Sequence, residues 1–548
     1  MIRAWWKEAV VYQIYPRSFL DTTGDGIGDL KGITLKLDYL KSLGVDVLWL
    51  SPIFASPDDD NGYDISDYRE ISGKFGTMSD FDNLLEQAHI KGLKIVLDLV
   101  VNHTSDEHEW FKQSRSSKDN PYRDYYFWRD EKPCNWMSFF GGDAWEFDET
   151  TKAYYLHLFS KKQPDLNWEN PKVRQEVFEL MKFWLDKGVD GFRMDVIPMI
   201  SKYLDFPNID TSNFVEAINK IYTNGPRLHE YLREMNHEVL SKYDVLSMGE
   251  GIGVDAEQGL LYTSNKREEL QMIYHFEHMS LDWGHKGKFD IKQWQLTEFK
   301  AIFRNWQKTM DDGGWITVFL DNHDFPRMVS RFGNDSEYHE KSAKLLATLL
   351  LTQKGTPCLY QGSEIGMTNV EFDSLDEYED IEIRNKIDEW MANQWDVEEL
   401  KKILKHVARD NARTPMQWDD SINSGFSDGC PWLSVNPNHK TINVKKSLLD
   451  KKSIWYHYQD LLKLRKQQLV FVYGDFEEYM KESQSVYIYC RANEFASFLI
   501  LLNFSENQEN LSSTIPEYKK ENICISNYNV DSLKIGCLMP WEASIYNL

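Results

Sequence analysis

Three short segments, far apart in the chain, each deliver a carboxylate from an apolar, strand-like run. They are Gly191-Phe192-Arg193-Met194-Asp195-Val196, Val245-Leu246-Ser247-Met248-Gly249-Glu250 and Val318-Phe319-Leu320-Asp321-Asn322-His323-Asp324. A fourth run, residues 96–103, ends in His103. Two or three carboxylates gathered around one carbon suit the cleavage of a glycosidic bond. Arg193 stands two residues before Asp195, so on a strand both side chains point the same way. A cation there keeps Asp195 ionised; the alternative is a structural Arg–Asp pair. Glu250 lies between Gly249 and Gly251. Glycines there let a substrate approach closely, while a helix-start acid is the plainer alternative.

Carboxylates at the ends of successive buried strands require a scaffold that points those ends at one place, and a (β/α)8 barrel does this. The sequence predicts eight strands, at residues 10–15, 45–53, 93–101, 191–196, 244–249, 271–276, 316–320 and 356–360. Their near-continuous apolar character suits a parallel sheet covered by helices. A helix is predicted over residues 33–43, stopped by Gly44. Another carries Phe81, Leu84, Leu85 and Ala88 at helical spacing and stops at Gly92. A third spans residues 171–187. Between residue 103 and about residue 170 the alternation breaks into a stretch rich in Ser, Asp, Lys, Trp and Tyr, without a clean helix. After about residue 471 the pattern becomes short and alternating, as in an antiparallel sheet. The expectation is an α/β TIM barrel formed by residues 1–103 and 171–471. A domain at 104–170 is inserted after the third strand, and a C-terminal antiparallel β domain occupies 472–548.

The chain has 548 residues, too many for one core. Its net charge of −25 disfavours nucleic acid or an anionic membrane as partner. Aromatic residues reach 14%, with 19 Trp; most serve a large core, and a minority suit stacking on sugar rings. The six cysteines show no metal-type spacing, and free thiols in a reducing compartment are the simplest reading. The N-terminal residues meet charge too early for a signal peptide. The longest apolar runs, such as residues 345–351, are too short to span a bilayer. A soluble cytoplasmic protein is expected.

With these motifs in order, the chain resembles the α-amylase family of glycoside hydrolases, and within it the bacterial oligo-1,6-glucosidase and dextran glucosidase group. The likeness begins at Val11-Tyr12-Gln13-Ile14-Tyr15-Pro16-Arg17-Ser18-Phe19. It also includes Gln163-Pro164-Asp165-Leu166-Asn167-Trp168 and Arg409-Asp410-Asn411-Ala412-Arg413-Thr414-Pro415-Met416-Gln417-Trp418. The resemblance implies Asp195 as nucleophile, Glu250 as general acid/base, and Asp324 as a third carboxylate that holds sugar hydroxyls. It implies that His103 and His323 donate hydrogen bonds to the same glucose. Asp60 and Tyr63, in an acidic turn, resemble the pair that closes the pocket behind the terminal glucose. Arg413 matches an arginine that pairs with such an aspartate, a clamp that makes an enzyme exo-acting. Phe159 is either an aromatic wall or core. Val196, directly after the nucleophile, accompanies α-1,6 cleavage in the resembling enzymes.

Asp21-Thr23-Asp25-Ile27-Asp29 places oxygen ligands at alternate positions among glycines, as a structural Ca2+ loop does. Related enzymes commonly have Asn at the position of Thr23, and an ordinary Asp/Gly turn is the alternative. No cofactor is expected for catalysis.

The sequence therefore reads as a retaining exo-acting α-glucosidase for isomaltose and short isomalto-oligosaccharides, working as a monomer on a small oligosaccharide. Alternatives within the same chemistry are a broad α-1,4-glucosidase, a trehalose-6-phosphate hydrolase and a sucrose isomerase. Isomerases carry Arg-Leu-Asp-Arg-Asp after the sixth strand and Thr after the nucleophile; here residues 279–286 lack that motif and Val196 replaces the Thr. A non-catalytic relative, such as a transporter heavy subunit, lacks the carboxylates and carries a membrane span.

Overall fold

The strands that carry the candidate residues lie side by side in one eight-stranded parallel sheet of the computed structural model, which describes residues 3–284 and 287–548. His285 and Lys286, the last two residues of the stretch weighed against the isomerase motif, lie outside the described residues. In chain order the strands are β1 (Val11–Ile14), β2 (Val47–Leu50), β3 (Lys94–Leu99), β4 (Gly191–Met194), β5 (Leu246–Gly251), β6 (Met272–His275), β7 (Thr317–Val318) and β8 (Thr356–Tyr360). They pair in the order β6-β5-β4-β3-β2-β1-β8-β7. A parallel bridge between Ile273 and Ile316 joins the two edges, so the sheet closes into a barrel. All eight expected strands are present. β4 stops at Met194, so Asp195 and Val196 already belong to the following turn.

β4 and β5 are pressed together by one sequence feature. Gly191 pairs with Leu246, and a Cβ at Gly191 would sit 2.1 Å from the Leu246 carbonyl oxygen. Only glycine permits that approach, which brings Asp195 beside Glu250.

The predicted helix over 33–43 is two helices, Leu30–Leu35 and Leu37–Leu43. Lys36 breaks them at φ −100° and ψ 4°, and its ammonium lies 3.9 Å from the Trp418 ring centre. Gly44 ends the second helix at φ 107°, the left-handed stop expected of it. The helix Pro171–Asp186 starts on Asn170, whose side chain caps Lys172 N, with Pro171 at the first helical position.

Between β3 and β4 lie three antiparallel strands, with Ala153–Leu156 between Trp128–Arg129 and Trp145–Asp148. This segment also holds a helix, Glu109–Ser116, which the sequence did not reveal. It fully buries only Phe111 and Ser114, and its two apolar residues, Trp110 and Phe111, are adjacent, so it carries almost no apolar period.

At the C-terminus β9 (Asp475–Tyr479), β10 (Val486–Ala492), β11 (Ser497–Asn503), β12 (Ile523–Ser526) and β13 (Ala543–Asn547) form an antiparallel sheet in the order β9-β10-β11-β13-β12. One buried arginine, Arg491, joins it to the barrel, and another, Arg465, ties down the helix Ile454–Gln467 that precedes it. Arg465 donates to the carbonyls of Leu351, Gln353, Gly355 and Phe471. Arg491, on β10, donates to Thr352 O at 3.0 Å, Val470 O at 3.2 Å and Gly474 O at 2.7 Å. Burial lowers Arg465 to about 9 and Arg491 to about 10, so both are charged at neutral pH.

Arg491→Leu takes the donor from Thr352 O and Gly474 O, each worth about 1–3 kcal/mol when left unpaired, while Val470 O keeps Gly474 N. The variant should lose roughly 2 kcal/mol or more in urea unfolding. A loss too small to resolve would show that the sheet is held by apolar packing alone.

Candidate active site

The barrel's C-terminal face holds three carboxylates on one guanidinium. Arg193 is fully buried, and its Nη1 lies 2.7 Å from Asp98 Oδ1 and 2.6 Å from Asp195 Oδ1. Its Nη2 lies 2.7 Å from Glu250 Oε2, and its Nε donates to Tyr274 Oη at 2.7 Å. The same Glu250 oxygen accepts from Val196 N at 2.8 Å. Val196 holds φ 34°, a left-handed conformation costly for a β-branched residue and a mark of backbone constrained by its surroundings.

Burial pushes Asp195 well up and Glu250 and Asp98 up, against the pull of Arg193. One cation offsets the burial of three carboxylates only in part, so Asp98, Asp195 and Glu250 all hold protons more tightly than free carboxyls do.

The opposite end is closed by aspartates and arginines. Asp324 Oδ1 receives Arg409 Nη1 at 3.1 Å and Arg413 Nη2 at 3.0 Å. Burial opposes ionisation of Asp324, but His323, Arg409 and Arg413 outweigh it and hold the carboxyl far below its usual range. Asp380 binds both arginines, at 2.7 Å and 2.8 Å. Asp60 accepts from Gln163 Nε2 at 3.0 Å and faces Arg409 Nη2 at 3.4 Å. Burial raises Asp60 from 3.8 to about 7.

Three expectations need correction here. Arg413 does not pair with Asp60: it binds Asp324 and Asp380 and donates to His323 O at 2.9 Å, and Arg409 is the arginine that reaches Asp60. Sequence spacing could not separate two arginines one helical turn apart. His323 is fully buried, with Nδ1 2.7 Å from Gln13 Nε2 and Nε2 2.5 Å from Tyr63 Oη. It therefore orients Tyr63, whose ring it stacks on at 5.3 Å, rather than presenting a free nitrogen to sugar. The strand expected over 191–196 stops at Met194, so Asp195, expected on the strand with Arg193, sits in the turn that Val196 continues at φ 34°.

His103 lines the cavity and lies 3.2 Å from both Tyr63 O and Gln163 Nε2. Burial lowers it to about 4 and His323 to about 3, so both are neutral at neutral pH. Phe159 is half-buried, stacked on Phe139 at 5.0 Å, and lines the cavity: it is both packing and wall. Asp98, Gln163, Tyr274, Asp380 and Arg409 had no predicted role. Of these only Asp98, a lone acid inside the apolar run of β3, carried a local signal.

The Ca2+ loop is assembled differently. Asp21 accepts from the backbone N–H groups of Thr23, Gly24 and Gly26, each at 2.8 Å, and from Ser427 Oγ at 2.6 Å. Asp25 accepts from Ile27 N at 2.9 Å. Asp29 accepts from Gly32 N and Thr22 N, each at 2.7 Å. The carboxylates face N–H donors, and among the described residues no three His, Cys, Asp or Glu gather as a metal requires. Hydrogen bonds of its own tie the loop that carries the expected ligands Asp21, Thr23, Asp25, Ile27 and Asp29.

A cavity of about 1360 Å3 opens over the cluster, lined by Asp60, Tyr63, His103, Asp195, Val196, Glu250, Asp324 and Arg409 among others. A parallel (β/α)8 barrel with this carboxylate set at the mouth is the architecture of an enzyme that cleaves glycosidic bonds. The chain belongs to the α-amylase family: residues 13–474 match the profile of the α-amylase catalytic domain. It is 55% identical to an oligo-1,6-glucosidase of Parageobacillus thermoglucosidasius over 100% of both chains. It is 47% identical to a glucan 1,6-alpha-glucosidase of Streptococcus pneumoniae over 99% of both. Among solved structures, an isomaltulose synthase from Protaminobacter rubrum superposes with a TM-score of 0.95 at 44% identity, over 100% of both chains. A trehalose-6-phosphate hydrolase of Bacillus licheniformis gives 0.94 at 44%, over 100% of both.

Asp60 supplies a pH test. Between 3.8 and about 7 the folded protein binds a proton there that the unfolded chain has released. This group therefore makes stability fall as pH rises through that window. Asp60→Asn should remove that fall, worth up to about 4 kcal/mol, in unfolding free energies measured from pH 4 to 8. Parallel wild-type and variant curves would show that Asp60 is ionised throughout.

Proposed function

We propose that the protein is a retaining, exo-acting α-glucosidase that removes terminal α-1,6-linked glucose from isomaltose and short isomalto-oligosaccharides. The observation that carries the chemistry is the contact of Asp195 and Glu250 with adjacent nitrogens of one buried guanidinium. That favours the short carboxyl separation of retaining enzymes, about 5–5.5 Å, over the wider inverting gap. Asp195 attacks the anomeric carbon as Glu250 gives its proton to the leaving oxygen. The glycosyl–Asp195 ester is then opened by water that Glu250 deprotonates. Asp324, kept ionised by Arg409 and Arg413, holds the glucose hydroxyls and stabilises the oxocarbenium-like transition state. The Asp60–Arg409–Asp380 wall behind that glucose leaves no path for a longer chain and supports cleavage from the end.

The names of the relatives and Val196 support the α-1,6 linkage. An α-1,6 bond adds a rotatable methylene, so its leaving sugar reaches the turn at a different angle and packs on the branched methyls of Val196. An α-1,4 aglycone sits closer and meets them. The trehalose-6-phosphate reading needs a cation to receive a phosphate. Of the lysines lining the cavity, Lys288 is paired with Glu382, Lys386 with Glu389 and Lys220 with Glu216. Six cysteines without a disulfide suit a reducing, cytoplasmic setting. No helix among the described residues is long and apolar enough to cross a membrane. A monomer suffices for this reading, because one chain supplies every group in it.

Initial rates on isomaltose, maltose, sucrose, trehalose and trehalose-6-phosphate, compared as kcat/KM, test the assignment. Isomaltose should lead. Val196→Ala should raise maltose relative to isomaltose by about tenfold or more, since one or two methyl groups in a pocket are worth about 1–3 kcal/mol. A native preference for maltose, or a ratio indifferent to residue 196, would reduce the reading to a general α-glucosidase.

A further inference from the structure

The wall closed by Asp60, Asp324, Arg409 and Asp380 accounts for one end of the cavity. The other end is far more apolar, and one aromatic group there is mounted in an unusual way. After β6 the chain turns through Glu277–Ser280 and enters a two-stranded ribbon, Trp283–Gly284 against Gly287–Ile291. Its first residue, Trp283, is half-buried and lines the cavity, while the two residues before it are buried. Asp282 anchors the ribbon: Arg331 grips its carboxylate with two nitrogens, Nε at 2.8 Å and Nη2, and His406 Nε2 lies 3.3 Å away. Arg331 also donates to Met279 O at 2.5 Å. Burial raises the Asp282 carboxyl, but its hydrogen bonds with His406 and Arg331 outweigh that and hold it at about 2, so the anchor is charged across the working pH range.

Beside the indole stands Phe325, nearly parallel at 17° with ring centres 6.3 Å apart, and Phe325 in turn meets Phe276 at 5.4 Å; all three rings border the cavity. Phe325 follows Asp324 directly, so this aromatic stack is built on the same turn as the third carboxylate. A wide, rigid ring held beside other rings at the border of a cavity presents a flat apolar surface at small entropic cost. The apolar face of a pyranose matches such a surface. The cavity is also larger than a disaccharide with a blocked glucose end requires.

Resting on the function proposed above, we infer that Trp283 is a binding residue for the reducing-side sugars of the substrate, stacking on a ring beyond the scissile bond. It makes isomaltotriose a better substrate than isomaltose. The ion pair Asp282–Arg331 is its positioning device, since it fixes the ribbon from which the indole projects.

The test compares kcat/KM for isomaltotriose and isomaltose in the wild type, Trp283→Ala and Trp283→Phe. The inference predicts that the alanine variant loses about tenfold of the trisaccharide-to-disaccharide ratio, the scale of one aromatic stacking contact. The loss should fall mainly on KM. Trp283→Phe should recover much of the ratio, and inhibition by free glucose, which occupies the closed end, should be unchanged in both. Removing the anchor with Arg331→Met should move the ratio the same way, with Tm recorded to separate misfolding from misplacement. If both sugars are cleaved and the ratio is unmoved in Trp283→Ala, the platform is refuted and the α-1,6 reading stands. If the wild type cleaves neither sugar, the α-1,6 reading itself has failed.

Discussion

The Arg193 guanidinium is the interaction on which the site depends. It is fully buried, with its centre 5.1 Å from the Trp49 ring and 5.8 Å from that of Tyr274. It contacts carboxylates from β3, from β5 and from the turn after β4. Without it three carboxylates would face one another in a low-dielectric space, at a cost of several kcal/mol for each that stayed ionised. With it they are packed close enough to act on one carbon. The cation compensates them only in part, and that deficit is what leaves a proton available for a leaving group. The geometry is fixed from behind: Gly191 lets β4 lie against β5, and the left-handed Val196 turns its N–H onto Glu250.

The same logic operates at the closed end with the signs reversed. Two arginines there serve Asp60, Asp324 and Asp380, and Asp324 is held ionised. One cavity thus contains a carboxylate pair biased toward sharing a proton and a third carboxylate biased against any. Different counts of cation per anion, rather than different residue types, separate the roles.

The barrel was legible in the sequence because its strands are buried on both faces and read as apolar runs, and because the chemistry sits where those runs stop. Asp195, Glu250, Asp324, His103, Asp60 and Tyr63 all border the same cavity for that reason. What was not legible depends on long-range partners. Nothing in the spacing of Arg409 and Arg413 says which one meets Asp60, and nothing near His323 shows that Gln13 and Tyr63 take its nitrogens. The loop of Asp21, Asp25 and Asp29 has the composition of a calcium site, and composition does not show which backbone N–H groups its carboxylates accept from. The helix Glu109–Ser116 buries too little to leave a period. Local pattern records burial; it does not record which buried groups meet.

The central claim is that Asp195 and Glu250 act in turn on one face of the sugar through a covalent intermediate. Proton NMR of the glucose released in the first moments of isomaltose hydrolysis, before mutarotation, addresses it directly. Double displacement at Asp195 predicts that this glucose is the α anomer. Early accumulation of the β anomer would mean that water attacks in a single step, and would contradict the account.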